Sequence, residues 1–144
     1  MTMRYITAGK ILSFDEMIDK TTVYVDKTQA VCLMASQKDD ILLTRPRRMG
    51  KSTMVSTLEY LFSKGTVGTE GLYCHEHWPE PNRYFVFHFD WSKFDTSSVD
   101  DFKQNLNEEL DDWASYFGFE IPTNKRLARR FEFLIKACIA KLKD

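Results

Sequence analysis

The stretch from residue 40 to residue 53 constrains the fold of this chain more than any other. It reads Asp-Ile-Leu-Leu-Thr-Arg-Pro-Arg-Arg-Met-Gly-Lys-Ser-Thr: an apolar segment, a basic loop, and the start of a helical pattern. A buried strand followed by a loop and a helix opening on Gly-Lys-Ser-Thr is the layout of a phosphate-binding P-loop. The sequence therefore predicts an α/β domain with a phosphate site between a strand and a helix.

The residue types in this stretch suit phosphate chemistry. Gly50 lets the backbone approach an anion without a Cβ, and N–H groups at a helix start carry the positive end of the helix dipole. Lys51 can contact β- and γ-phosphates, and Ser52 can give its hydroxyl to Mg²⁺. The predicted nucleotide-binding residues are Arg45, Arg47, Arg48, Met49, Gly50, Lys51, Ser52 and Thr53.

One position departs from the usual P-loop pattern, because Arg45 stands where the first glycine is expected. The alternative interpretation is a strand–helix turn with a basic rim. Arg47 or Arg48 would neutralise phosphate charge beyond what Lys51 does if a nucleotide binds. Without a nucleotide, the same cations would suit nucleic-acid phosphate or an acidic protein.

Two motifs together resemble a known family. Tyr-Val-Asp-Lys-Thr at residues 24–28 precedes Arg-Pro-Arg-Arg-Met-Gly-Lys-Ser at residues 45–52. This pair is similar to the N-terminal part of the bacterial AAA-ATPase-like family, in which Phe occupies the place of Met49. The resemblance covers roughly residues 10–120. It implies ATP and Mg²⁺ as ligands, and it makes the absent first glycine a family trait.

The resemblance also implies parts that we do not find in this chain. Family members carry a Walker B strand ending in Asp-Glu, and many carry a PD-(D/E)xK nuclease-like domain. We therefore expect a truncated ATP-binding module with weak or absent hydrolysis, and enzyme activity stays open. Asp90, at the end of the apolar run 84–90, is a second candidate metal ligand beside Ser52. Capping the end of that strand is its alternative role.

Periodicity predicts the remaining elements. We expect a single domain over residues 1–144 with a partial P-loop NTPase-like, three-layer α/β fold, in which helices flank a small, mainly parallel sheet. The Ser13-x-x-Glu16 pattern predicts a capping box. Ser97 or Ser98 should cap the fourth helix, and Arg126, Arg129 and Arg130 should lie on the charged face of the last. The expected strands are 23–25, 40–44 and 84–90, and the expected helices are 13–20, 28–37, 51–64, 99–117 and 124–142.

Charge distribution supports a second function class. The net charge of −1 does not favour nucleic acid, but acids dominate residues 70–112 and bases dominate residues 125–143. The alternative function is therefore a short protein-binding or inhibitor protein built on a degenerate P-loop fold. An open sheet edge and the charged helices are the expected surfaces for a protein partner or a homo-oligomer.

The cysteines and the hydropathy carry less information. Cys32, Cys74 and Cys138 form no C-x-x-C motif, and no apolar run is long enough to span a membrane. These features predict a cytoplasmic protein. The stretch Cys74-His75-Glu76-His77 offers three soft or borderline zinc ligands close together, but a zinc site requires a fourth ligand.

Overall fold

The computed structural model describes residues 13–18, 24–37 and 39–143. These residues form helices and irregular segments, and no β-strand is present among them. None of the described helices has the length and apolar character needed to cross a membrane. The helices are α1 (Phe14–Ile18), α2 (Thr28–Ser36), α3 (Lys51–Lys64), α4 (Tyr73–His77), α5 (Val99–Phe117) and α6 (Leu127–Lys141), with a 3-10 turn at Trp91–Lys93.

The predicted parallel sheet is wrong for the part of the chain that the structure describes. Residues 24–27, 40–44 and 84–90 carry no regular secondary structure, and Leu42 is 88% exposed. A strand exists only where a neighbouring segment completes its backbone hydrogen bonds, and no described segment does so. The Tyr84 N–H instead donates to the Phe62 carbonyl at the end of α3, at 2.8 Å. The sheet edge expected to bind a partner is therefore also lacking here.

The chain divides into two compact units, residues 1–86 and residues 87–144. The first unit contains α1 to α4, and the second contains the 3-10 turn, α5 and α6. A compact unit is not always an independently folding domain, so one domain over residues 1–144 stays a prediction.

The core of the first unit gathers side chains from four short helices. α3 packs against both α1 and α2, and α2 packs against α4. The Phe14 ring meets Tyr24 and Tyr60 edge-on, with ring centroids 5.6 Å and 5.2 Å apart. The buried residues of this core are Phe14, Met17, Val31, Cys32, Tyr60, Leu61 and Cys74.

The start of α1 confirms the predicted capping box. The Ser13 N–H donates to Glu16 Oε2 at 2.9 Å, and the Glu16 N–H donates to Ser13 Oγ at 3.4 Å. Each side chain satisfies one backbone donor that the helix leaves open. The predicted end of this helix, Lys20, lies outside the described residues.

In the second unit, Phe87 and Phe89 pack against a helix without belonging to a strand. The Phe87 ring meets Trp113 and Phe117 edge-on, at centroid distances of 4.9 Å and 5.4 Å. Phe89 packs edge-on against the same tryptophan at 4.4 Å. These two alternate side chains thus pack against α5, although the segment is not the strand of a sheet that the sequence predicts.

Arg130 on α6 departs from its predicted position on the charged face, since it is only 3% exposed. Its Nε donates to the Pro122 carbonyl at 3.1 Å, and its two terminal nitrogens donate to Asn107 Oδ1 and Asp111 Oδ1. Helical period alone assigns this position to solvent. The burial arises because α5 and residue 122 supply acceptors for the guanidinium.

Ser98 caps α5, which resolves the choice between Ser97 and Ser98. Its Oγ accepts the Asp101 N–H at 3.0 Å, whereas the Ser97 N–H donates to Asp95 Oδ1 at 2.8 Å. We expect Ser98→Ala to lower the free energy of unfolding by about 1 kcal/mol, since one helix donor loses its partner. Urea unfolding followed by circular dichroism measures this change. Ser97→Ala is the matched control, and an equal loss in both variants would contradict the cap.

Candidate functional site

The start of α3 is a helix N-terminus without a side-chain cap, a feature that can bind an anion. Gly50 precedes it in the left-handed conformation, with φ of 78° and ψ of 23°. No side chain caps this end, and the first turn contains no acidic residue. The first N–H groups of a helix have no partner within the helix, so those of the first turn are available to a bound group.

Lys51 folds back over the preceding loop. Its ammonium donates to the carbonyl oxygens of Arg45 and Pro46, at 2.7 Å and 2.9 Å. These two bonds close residues 45–50, which we call the arginine loop, into a ring at the start of α3. The Lys51 side chain is thereby held to the arginine loop and is partly buried.

The backbone of the arginine loop is strained at one residue. Arg48 has φ of 64°, in the left-handed region that residues with a Cβ rarely adopt. Such a conformation costs roughly 1–2 kcal/mol. Strained residues of this kind concentrate at binding sites, where the surrounding structure holds them in place. The strain therefore marks the loop as a functional candidate.

The guanidinium groups of the loop are available to a ligand. Arg45, Arg47 and Arg48 are exposed, and none of their guanidinium groups forms a hydrogen bond or an ion pair with a described residue. Met49 is 54% exposed and Ser52 is exposed as well. The structure thus brings the predicted residues together around one helix end, and their role in nucleotide binding stays a prediction.

A cavity of about 190 Å³ lies beside the arginine loop. Sequence analysis did not predict it. Lys27 reaches its rim, since a Cβ built on Gly50 would lie 3.7 Å from the Lys27 Nζ. The lining residues are Met17, Tyr24, Val25, Lys27, Val31, Gly50, Thr53 and Met54.

Asp26 and Thr28 hold the segment that carries Lys27. Asp26 Oδ1 accepts the Thr28 N–H and hydroxyl at 2.8 Å and 2.7 Å, and Oδ2 accepts the Tyr73 N–H at 2.8 Å. The buried Thr28 Oγ1 in turn accepts the Cys74 N–H at 3.0 Å. Two residues of the Tyr-Val-Asp-Lys-Thr motif therefore tie α2 to α4 and fix the backbone on both sides of Lys27.

The Asp26 carboxylate predicts a pH-dependent stability. Burial acts to raise its pKa, but the hydrogen bonds from Thr28 and Tyr73 outweigh burial and hold the pKa below its ordinary value of 3.8. A lowered folded-state pKa stabilises the protein above the unfolded-state pKa, and this stabilisation is lost as the pH falls through the folded-state pKa. We expect Asp26→Asn to cost about 1 kcal/mol at pH 7, with a smaller difference at the lowest pH.

Urea unfolding of the wild-type chain and Asp26→Asn at a series of pH values from 7 downward measures this difference. Asp40→Asn, at an exposed carboxylate of the same unit, is the matched control. A cost for Asp26→Asn that stays constant down to the lowest pH would contradict the assignment.

Asp90, the second predicted metal ligand, lies in the second unit and caps the Trp91–Lys93 turn. Its Oδ1 accepts the Ser92 N–H at 3.2 Å and the Ser92 hydroxyl at 2.6 Å. These hydrogen bonds are the main reason that the pKa of this carboxyl is lowered. The expected cap at the end of a strand is wrong, because residues 84–90 form no strand and Asp90 caps the 3-10 turn instead. A metal role for Asp90 stays a prediction.

The Cys74-His75-Glu76-His77 stretch forms α4. The His77 Nδ1 lies 3.0 Å from the Tyr73 carbonyl, and the His75 Nδ1 lies 3.3 Å from Thr69 Oγ1. Within the described ranges, no three His, Cys, Asp or Glu side chains are grouped as metal ligands would be.

The cysteine thiols are buried and free. Burial raises the pKa of each of them, that of Cys32 to about 11. A thiol with so high a pKa is protonated at neutral pH and is a poor nucleophile. We therefore assign no catalytic role to Cys32.

Comparison with known proteins identifies the family of this chain. The chain matches the sequence model of the AAA-ATPase-like family, described as "Predicted AAA-ATPase", over residues 9–144, and it belongs to that family. An uncharacterized protein in the vnfD 5' region of Azotobacter chroococcum mcd 1 is 28% identical over 114 residues. That alignment covers 79% of this chain but 22% of the relative, so the chain spans about a fifth of its length. No solved structure matches the chain.

Proposed function

We propose that this chain binds ATP, with the arginine loop and the first turn of α3 acting as a P-loop. The interaction that carries the proposal is that of the Lys51 ammonium with the Arg45 and Pro46 carbonyls, beside an uncapped helix end. These contacts support the proposal, because they hold the Lys51 side chain to the same loop that precedes the first N–H groups of α3. Membership of the predicted AAA-ATPase family supports the same ligand.

Charge in the loop matches a triphosphate. Arg45, Arg47, Arg48 and Lys51 place four cations within seven residues. Guanidinium groups can contact phosphate oxygens through paired N–H donors, and Lys51 adds a point charge. Because the three arginines have no competing described partner, phosphate binding would break no ion pair of theirs.

Ser52 fits the role of the Mg²⁺ contact. It is the second residue of α3, it is exposed, and its hydroxyl forms no hydrogen bond with a described residue. Mg²⁺ bound to a nucleotide keeps several waters and needs few protein ligands, so one hydroxyl is chemically sufficient on the protein side. The ion would neutralise phosphate charge. We propose weak or no hydrolysis by this chain alone, since no described residue is identified as positioning the attacking water.

Calorimetric titration of Mg·ATP into the folded chain tests this function. We expect a dissociation constant in the low-micromolar range, which corresponds to a binding free energy of about −7 to −8 kcal/mol. Titration of ATP in excess EDTA shows how far binding depends on the metal. Absence of heat, together with failure to displace a fluorescent ATP analogue, would contradict the proposal and favour the protein-binding alternative.

A further inference from the structure

We propose that the cavity beside the arginine loop receives the base of the nucleotide, and that Lys27 contacts its phosphate chain. The Tyr-Val-Asp-Lys-Thr segment would then form one wall of the nucleotide site. This inference rests on the proposed function, because it assumes that phosphates bind at the start of α3. It adds a base pocket and a second lysine to that site.

The size of the cavity fits part of a nucleotide. Pockets that enclose a whole small-molecule ligand have volumes of about 300–1,000 Å³. The cavity has a volume of about 190 Å³ and opens beside Gly50, where the arginine loop joins α3. One planar heterocycle is a suitable occupant, and the charged groups of the same ligand would remain outside, over the loop.

The walls of the cavity suit an uncharged ring. Met17, Val25, Val31 and Met54 present carbon and sulfur atoms, and Tyr24 adds an aromatic ring. A flat base gains by leaving water for such surfaces and by stacking on an aromatic ring. Among the residues that the structure describes, the lining contains no carboxylate, which would be the natural acceptor for the paired N–H donors of guanine. The cavity therefore favours adenine.

Lys27 lies between the cavity proposed for the base and the start of α3 proposed for the phosphates. It lines the cavity, and its Nζ lies close to Gly50, the residue before the first turn of α3. Its ammonium forms no hydrogen bond or ion pair with a described residue. Its neighbours in the chain, Asp26 and Thr28, both form hydrogen bonds through their side chains. A free ammonium on a fixed backbone can contact a phosphate with little rearrangement.

Two variants separate the two parts of the inference. Lys27→Ala removes the ammonium, and Val25→Phe enlarges a side chain that is 70% exposed and lines the cavity. The probes are Mg·ATP, Mg·GTP and inorganic tripolyphosphate, which carries phosphate charge without a base. Lys125→Ala in the second unit is the control for loss of one exposed lysine. Circular dichroism verifies that each variant is folded.

The expected results differ for the two variants. Lys27→Ala should weaken ATP and tripolyphosphate alike, by about tenfold. Val25→Phe should weaken ATP by about tenfold and leave tripolyphosphate unchanged. The wild-type chain should bind ATP more tightly than GTP and more tightly than tripolyphosphate. Lys125→Ala should match the wild type.

Failure of this inference is distinguishable from failure of the proposed function. If the folded wild-type chain binds no ATP, the proposed function fails and the inference fails with it. If ATP binds and requires Lys51, while Lys27→Ala and Val25→Phe bind as the wild type does, the inference alone is overturned. Equal affinities for ATP and tripolyphosphate would likewise exclude the base from the cavity.

Discussion

Replacing Lys51 by alanine should weaken Mg·ATP binding by about 100-fold. A hydrogen bond to a charged group contributes roughly 1.5–3 kcal/mol, and each 1.4 kcal/mol is a factor of ten in the dissociation constant. The substitution would remove the proposed phosphate contact. It also removes the two hydrogen bonds from the Lys51 ammonium to the Arg45 and Pro46 carbonyls, at 2.7 Å and 2.9 Å. The expected loss is therefore at the upper part of that range.

Isothermal titration of Mg·ATP into the wild-type chain and Lys51→Ala measures this loss. Lys125→Ala removes the same charge from the second unit and should bind ATP as the wild type does. Because the Lys51 side chain is not deeply buried, the variant should unfold within about 1 kcal/mol of the wild type. Tight ATP binding by a folded Lys51→Ala chain would exclude the P-loop assignment.

Replacing Asp111 by alanine should lower the free energy of unfolding by about 3 kcal/mol. The Arg130 side chain is 4% exposed, so the variant leaves a buried positive charge without its carboxylate. The Asn107 and Pro122 acceptors remain in place, but neither carries a charge. Because Asp111 itself is half exposed, its own desolvation offsets little of this loss.

The neighbouring carboxylate is the matched control for that substitution. Asp112 is exposed and has no partner among the described residues, so Asp112→Ala should change stability by about 0.5 kcal/mol or less. Urea unfolding followed by tryptophan fluorescence measures the stability of both variants. Trp113, buried beside Phe87 and Phe89, and Trp91 report on the second unit, and Trp78 reports on the first. Equal stability of Asp111→Ala and Asp112→Ala would show that the buried ion pair does not stabilise this unit.

A double variant tests the physical cause. Asp111→Ala combined with Arg130→Met removes both charges and keeps an apolar side chain of similar length. Replacing a buried ion pair by apolar residues is often neutral, whereas removing one partner is costly. We therefore expect the double variant to recover at least half of the stability lost in Asp111→Ala. A further loss in the double variant would contradict this explanation.

The helices with local start and stop signals were the most accurately predicted elements. The predicted range 51–64 has the same bounds as α3, and Gly50 and Gly65 adopt positive φ at its two ends. The range 99–117 likewise matches α5, with Ser98 at its start and Gly118 at its end. A cap is a contact between residues a few positions apart, so it can be recognised without knowledge of the tertiary fold.

The candidate site was predicted in part. Residues 45–53 were identified because Gly-Lys-Ser and the arginines are adjacent in the chain. The positive φ of Arg48 and the bonds of Lys51 to the Arg45 and Pro46 carbonyls had no signal in the pattern. Lys27 was also missed, although its place between Asp26 and Thr28 in the upstream motif was visible.

By itself, the sequence determined features that depend on near neighbours: the capped helices, their apolar stripes and the adjacent cations of the arginine loop. Only the tertiary structure decided which distant segments meet. It placed Phe87 against α5 where a sheet was expected, surrounded Arg130 with acceptors, and brought Lys27 close to Gly50. The reason is physical: caps and helical period are local, whereas strand pairing, burial of a charge and the walls of a cavity require partners far away in the chain.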